Sequence, residues 1–496
     1  MMTNPVQQLL DRALDRHRAG AWGEAEGLYR RAVAMAPAHS GLLFNLGAVR
    51  EAGGDAAGAA AAYLRAIRCA PDNASAWFNL GNARRALGDH DGSITAYARA
   101  LAAKPDHAGA LGNLGARLLD AGRAAEAEPW LVRALALKPD VAGVHHALGW
   151  ARQRLGRVAE AVGPLRTALA VDPNLLAASE KLAECRCLLG EEAAGARQFW
   201  RYQSADGAWL GKLRIPSPAR TVRPGEPLHL VADSGFGDTF QFVRYARWFA
   251  ERGHRVTVEV QAPLLRILAG AAGIDRAIPM GAERPEGATA VPLHSLMHLA
   301  GASAADLGQT VPYLTADPAL VESWAARLGG GLGNGLRGGL RVGLVWAGAP
   351  DGAANHGRSP RLAPLRPLLD TNGIRVFGLQ LGDGRRDLEG AALPDRFTDL
   401  GPAIADFADT AAILAGLDLL VTSDTGVAHL AGALGRPAWV LLPAVPAWRW
   451  GLSGAASPWY PTLRLYRQPA PGDWATPVAR MQADLARLAA NTPAQR

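Results

Sequence analysis

The chain has 496 residues, room for about three domains of ordinary size, and its 49% hydrophobic and 20% charged content describes a globular protein rather than a disordered one. The formal net charge of +7 is spread through segments where acidic and basic residues alternate, without a run of like charges, so no nucleic acid is expected as a partner. Cys69, Cys185 and Cys187 lie in helical sequence with no His or Cys at ligand spacing, which reads as inert thiols and no metal site. Residues 1–16 are polar and amphipathic, without an apolar signal core, and no long uncharged apolar stretch follows. The expectation is a cytoplasmic protein with no transmembrane segment.

Five prolines, Pro37, Pro71, Pro105, Pro139 and Pro173, recur every 34 residues. Other columns keep the same period. Ala25, Ala59, Ser93, Ala127 and Ala161 are small; Tyr29, Tyr63, Tyr97, Leu131 and Leu165 are large; Ala32, Ala66, Ala100, Ala134 and Ala168 are small again. Leu46-Gly47, Leu80-Gly81, Leu114-Gly115 and Leu148-Gly149 add a glycine column. Two helices approach closely only where side chains are small, large residues fill the space beside the crossing, and proline stops the second helix. Thirty-four residues is the tetratricopeptide period, and one such unit cannot bury its own apolar face, so an α solenoid over residues 1–203 is predicted, five repeats and a capping unit from Leu176.

A proline-punctuated stretch at 204–226 reads as a linker. Beyond it short apolar runs alternate with amphipathic segments, the pattern of βα units and a parallel sheet. Strands are expected at 228–232, 256–260, 277–279 and 288–292, then at 341–346, 374–380, 417–422, 438–442 and 463–466. A glycine-rich segment, 329–339, separates the two series. They imply two Rossmann-like halves, 227–328 and 340–496, facing a cleft, with ligands beyond the carboxyl ends of the strands.

Three loops at such strand ends carry chemistry. Asp233-Ser234-Gly235-Phe236-Gly237-Asp238 opens a helix; Gly235 and Gly237 let backbone amides approach a ligand, and Asp238 sits in the first turn, where a plain helix-capping role competes with catalysis. Ser423-Asp424-Thr425-Gly426 opens a second helix and presents amides and a hydroxyl to a phosphate, with His429 one turn on; a capped helix with a packed histidine is the alternative. Arg358-Ser359 follows the strand ending at Trp346, and an arginine there could supply a charge-assisted phosphate contact. Trp346, with Trp448 and Trp450 of a late aromatic cluster, forms a candidate substrate wall, core packing being the other reading.

Taken together, residues 228–488, and most closely the run from Ser423 to Gly435, resemble the heptosyltransferase-like family-nine glycosyltransferases of the GT-B fold. The resemblance implies an α/β GT-B domain, a nucleotide sugar as co-substrate with no cofactor, and a donor-diphosphate site at Asp424, Thr425, Gly426 and His429. It places Asp238 on the family's catalytic base, Arg358 on a cationic phosphate contact, and Ser359 beside it. One departure is Ser295-Leu296-Met297-His298, where relatives have Ser-Leu-Pro, so the acceptor is not transferable. With no Asp-x-Asp motif at a strand end, an inverting, metal-independent transfer to a protein or saccharide hydroxyl is expected. The repeats would hold a protein or peptide on their concave face. A non-catalytic scaffold with a degenerate transferase domain is the alternative.

Overall fold

A computed structural model describes residues 5–197, 222–301, 303–307, 311–329, 339–348 and 357–491. Most of the expected linker and all but the ends of the glycine-rich segment lie outside the described residues. The chain forms two compact units, one of residues up to 155 with 167–173, the other of 156–166 with the residues from 174 onward.

The first unit is a helical solenoid. Helices α1 (Pro5–Arg18), α2 (Trp22–Met35), α3 (Ser40–Ala52), α4 (Ala56–Cys69), α5 (Ala74–Ala86), α6 (His90–Ala103), α7 (Ala108–Asp120), α8 (Ala124–Leu137) and α9 (Ala142–Arg154) each pack on the next. The predicted columns meet as their sizes require. A Cβ on Gly47 would lie 2.6 Å from the Tyr63 ring, one on Gly81 2.5 Å from Tyr97, and one on Gly115 2.6 Å from Leu131 Cγ. Each glycine is thus the hollow into which its own repeat's large residue fits. The recurring prolines stand just beyond the ends of α2, α4, α6, α8 and α10 (Val158–Val171). Side chains of His39, Asn73 and His107 cap α3, α5 and α7, and those of Asp55 and Asp89 cap α4 and α6. The turns use a further column of the same period, Gly20, Gly54, Gly88, Gly122, Gly156 and Gly190, all at φ between 73° and 84°.

The second unit is α/β with two parallel sheets. The first sheet has the order β3-β2-β1-β4, with β1 (Leu228–Val231), β2 (Val256–Val260), β3 (Arg276–Pro279) and β4 (Thr289–Pro292). The second has the order β10-β9-β8-β5-β6-β7, with β5 (Leu340–Val345), β6 (Ile374–Gly378), β7 (Phe397–Asp399), β8 (Leu419–Ser423), β9 (Ala438–Leu442) and β10 (Leu463–Arg467). All strand pairs are parallel, and β1, β2 and β4 are buried along their whole length; the polar residues they bury include His229 and Glu259, which pair with each other at 3.0 Å. Strand order reverses beside β1 in one sheet and beside β5 in the other, so each sheet has a switch point where the loops after adjacent strands part. Helix α12 (Phe236–Ala250) follows β1. Helix α13 (Pro318–Gly329) packs on α14 (Phe407–Gly416), which precedes β8, and α15 (Gly426–Ala433) follows β8.

Arg244 of α12 ties the two sheets together. It is buried, donates to Trp459 O at 3.1 Å and the Tyr313 hydroxyl at 3.2 Å, and lies 4.8 Å from the Tyr460 ring centre. Its charge is solvated by hydrogen bonds and ring faces rather than by a carboxylate. Helix α11 (Leu176–Leu188), expected to cap the repeats, falls in this second unit and packs on the turn Trp448–Trp450. A chain shortened to begin at Leu228 would uncover that turn. It is expected to unfold about 5–10 °C below the full chain in a thermal scan followed by circular dichroism.

Candidate functional site

The loops at the switch points of the two sheets enclose a cavity of about 750 Å³. From the first sheet come Ser234, Gly235, Gly237 and Asp238 after β1 and Gln261 after β2; from the second come Gly348, Arg358 and Ser359 after β5, Asp424, Thr425, Gly426 and His429 after β8, and Arg449 after β9. Helices α12 and α15 bring their N-terminal ends side by side. A Cβ on Gly426 would be 3.6 Å from Gly237 N, and one on Gly237 would be 2.7 Å from His429 Cδ2. Two positive helix ends therefore converge beside the cavity. Gly237→Ala is expected to push His429 aside and destabilise the protein by about 1–3 kcal/mol, read from its urea midpoint.

Asp238 has partners on both oxygens. Ser234 Oγ donates to Oδ2 at 2.8 Å, while Oδ1 forms an ion pair with Arg449 and lies 3.6 Å from His294 Nε2. The other nitrogen of His294 is 3.0 Å from Asp233 Oδ1, and its ring packs 4.8 Å from Phe242. Burial by itself would raise the Asp238 carboxyl, but Arg449, His294 and Ser234 outweigh it and hold the group well below the usual carboxylate range. Burial opposes protonation of His294 as well, yet Asp233 and Asp238 push it up to about 10. Asp238 thus sits as a carboxylate between two cations.

On the opposite side Arg358 grips Asp424, with Nε 3.0 Å and Nη2 2.8 Å from Oδ2 of a side chain that is wholly buried. Burial would raise the Asp424 carboxyl, but the Arg358 guanidinium holds it below its ordinary value, with Arg449 adding to the effect. Ser359 Oγ accepts from Gly348 N at 3.2 Å and lies 3.3 Å from Ser423 Oγ, and the Thr425 hydroxyl is 3.0 Å from that of Thr422. His429 is buried, and desolvation together with Arg449 presses it down to about 3, so it is neutral near pH 7. Its Nδ1 shares a 2.9 Å hydrogen bond with the Tyr460 hydroxyl. Its Nε2 and Asp424 Oδ1, 4.0 Å apart, are both buried without a hydrogen-bond partner among the described residues. Two buried polar atoms are thus left for a ligand.

The candidate wall is corrected by the structure. Trp346, Trp448 and Trp450 are all buried and none lines the cavity. Trp346 donates its indole N–H to Gly384 O at 2.8 Å within the core of the second sheet. Trp450 lies 5.0 Å from the His429 ring, and Trp448 packs on Phe242 and Trp459. These rings pack the core and the seam between the sheets, and it is Arg449, between two of them, that faces the cavity. Arg449, His294 and Asp233 were not singled out from the sequence. Arg449 stood inside the aromatic run, and His294 just before the Ser-Leu-Met-His departure, so charged residues inside apolar stretches were the available signal.

A repeat array joined to an α/β unit with an anion-suited cavity between two parallel sheets is the class these features define. Comparison with known families names the parts. Tetratricopeptide repeat profiles match residues 10–74 and 72–140, and the profile of Glycosyltransferase family 9 (heptosyltransferase) matches residues 391–452. The chain carries tetratricopeptide repeats at its N-terminal end and a family-nine glycosyltransferase domain at its C-terminal end. A curated relative, Protein FlbA of Caulobacter vibrioides, is 29% identical over 194 residues, which span 36% of this chain and only 30% of FlbA. Among solved structures, MamA residues 41 to the end from Desulfovibrio magneticus RS-1 is 20% identical, covering 34% of this chain and 94% of MamA with a TM-score of 0.32. A tetratricopeptide repeat protein from Parabacteroides merdae is 17% identical, covering 50% and 89% with a TM-score of 0.37. Among the described residues no helix is long and apolar enough to cross a membrane.

Proposed function

We propose that this chain is an inverting glycosyltransferase of the GT-B type, moving a sugar from a nucleoside-diphosphate donor to a hydroxyl of a protein or saccharide acceptor. Residues 227–328 would form the acceptor half, 340–496 the donor half, and 329–339 the hinge. The observation that carries this reading is the meeting of Asp238 with Arg358, Thr425, Gly426 and His429 on one cavity. The acceptor oxygen bonds to the anomeric carbon as the bond from that carbon to the diphosphate oxygen breaks on the opposite face. Asp238 takes the hydroxyl proton, and the nucleoside diphosphate leaves with the bonding pair. Arg358, the Thr425 hydroxyl, the His429 ring and the amides opening α15 stabilise the charge that develops on the diphosphate, in place of a metal ion. The repeats present a protein or peptide on their concave face, so the acceptor is either that protein or a saccharide on an assembly where the protein docks.

The test is binding of a panel of nucleoside diphosphates and their sugars to the full chain, read by calorimetry, with Arg358→Ala alongside. Saturable binding of one base class, weakened in the variant, is the expected result. No binding by the folded protein across the panel would favour a scaffold that keeps the fold without the reaction.

A further inference from the structure

Among the described residues three arginines line the cavity, and each already faces an aspartate: Arg358 with Asp424, Arg361 with Asp387, and Arg449 with Asp238. A diphosphate entering the cavity competes with these carboxylates for the same guanidinium groups. The three pairs differ in what is left behind if the arginine moves. Asp424 is wholly buried, with Arg358 on one oxygen and no hydrogen-bond partner on the other, so losing Arg358 would strand a buried charge. Arg361 is held by a second carboxylate, Asp383 at 3.6 Å, and the next residue's amide also bonds to Asp387, at 3.1 Å. Asp238 keeps the Ser234 hydroxyl at 2.8 Å and a second cation, with His294 Nε2 at 3.6 Å, so its charge is not stranded when Arg449 leaves.

Arg449 has the means to move. Its side chain is only 8% exposed, and its Nε–H is buried without an acceptor, a donor the present arrangement does not use. The ring of Trp448 lies 5.6 Å from its guanidinium carbon, a face along which a planar cation can slide. Its charge already acts on Asp424 and His429 across the cavity.

We infer that Arg449 is a catalytic residue with two positions, paired with Asp238 while the cleft is empty and transferred to the donor's diphosphate when the nucleotide sugar binds. This rests on the reading of the cavity as a donor site. The same guanidinium then does two jobs in sequence. On Asp238 it keeps the base from accepting a proton, and on the diphosphate it stabilises the leaving group and frees Asp238 for the acceptor hydroxyl. Donor binding therefore precedes productive acceptor binding.

The coupling is tested on the full chain with inorganic pyrophosphate and with the nucleoside diphosphate that binds best, comparing wild type, Asp238→Asn, Arg449→Gln and the double variant by calorimetry. Asp238→Asn is expected to tighten diphosphate binding roughly 3- to 10-fold by releasing Arg449, and Arg449→Gln to weaken it about 10-fold or more. In the double variant the gain from Asp238→Asn should vanish. If the gain persists without Arg449, it is simple relief of repulsion and the inference is overturned. Unchanged or weaker binding by Asp238→Asn, while Arg358→Ala still loses affinity, overturns it too and leaves the donor site standing. No binding of either probe to wild type removes both readings. Should Arg449→Gln not fold, Arg449→Lys retains the charge but lacks the planar fork, and the loss of coupling is read there.

Discussion

Asp238→Asn is expected to lower kcat by about 10²–10⁴-fold, measured as sugar transfer at saturating donor. Asparagine keeps the shape and the Ser234 contact but cannot take the acceptor's proton. The loss should therefore appear in kcat, with donor affinity retained or improved. The variant also has a signature in stability. The wild-type carboxyl is depressed in the folded state, so it stabilises the fold above about pH 3.9, the value of an unfolded aspartate, and that contribution is lost as pH falls toward the folded value. His294 works in the other direction. Raised to about 10, it stabilises the fold below about pH 6.5 and ceases to do so as pH rises through about 10. With Asp238 neutral both contributions shrink, and the thermal midpoint should depend less on pH at each end. Unchanged turnover in a folded variant would remove Asp238 from the mechanism.

The second large effect belongs to Arg358→Ala. Loss of a charge-assisted contact to the diphosphate is expected to weaken donor binding by about 10- to 100-fold, corresponding to roughly 1.5–3 kcal/mol. The same change leaves the buried carboxylate of Asp424 without its arginine. Breaking a fully buried pair costs about 3–5 kcal/mol, but Arg358 is 35% exposed and its charge partly screened, so about 1–3 kcal/mol of stability is the expected loss. Arg358→Lys separates the two consequences. It keeps a charge near Asp424 and restores much of the stability, yet it cannot offer two parallel N–H donors, so donor affinity should recover only in part. Chemical denaturation and calorimetry on the pair of variants decide the matter. An unaltered donor dissociation constant in Arg358→Ala would remove it from the donor site.

Much of this architecture is legible because it is local. The glycine column at Gly47, Gly81 and Gly115 and the bulky column at Tyr63, Tyr97 and Leu131 lie within one repeat, so their spacing carries their contact. Strands β1, β2, β8 and β9 are short, largely buried segments rich in Leu and Val that stop at glycine, proline or hydroxyl-bearing turns, and such punctuation survives in sequence. Strand β7 was missed because it is three residues at a sheet edge, too short for any period. The tryptophans stayed open between a substrate wall and core packing for a different reason. An indole fills a core as readily as it stacks on a sugar, and only neighbours distinguish the two; for Trp346 the neighbour is Gly384 O, 38 residues on.

By itself the amino-acid sequence determined the repeat period, the change to βα units, and the loops after β1, β5 and β8 that carry hydroxyl, glycine and charge. Each follows from residue size, backbone freedom and periodicity over a few turns of chain. Which charge meets which was decided only by the tertiary structure. Asp238 and Arg449 are 211 residues apart, and Arg244 and Trp459 are 215 apart. The state of a buried carboxylate depends on the cations brought within a few ångströms of it, and no spacing in the sequence encodes that distance.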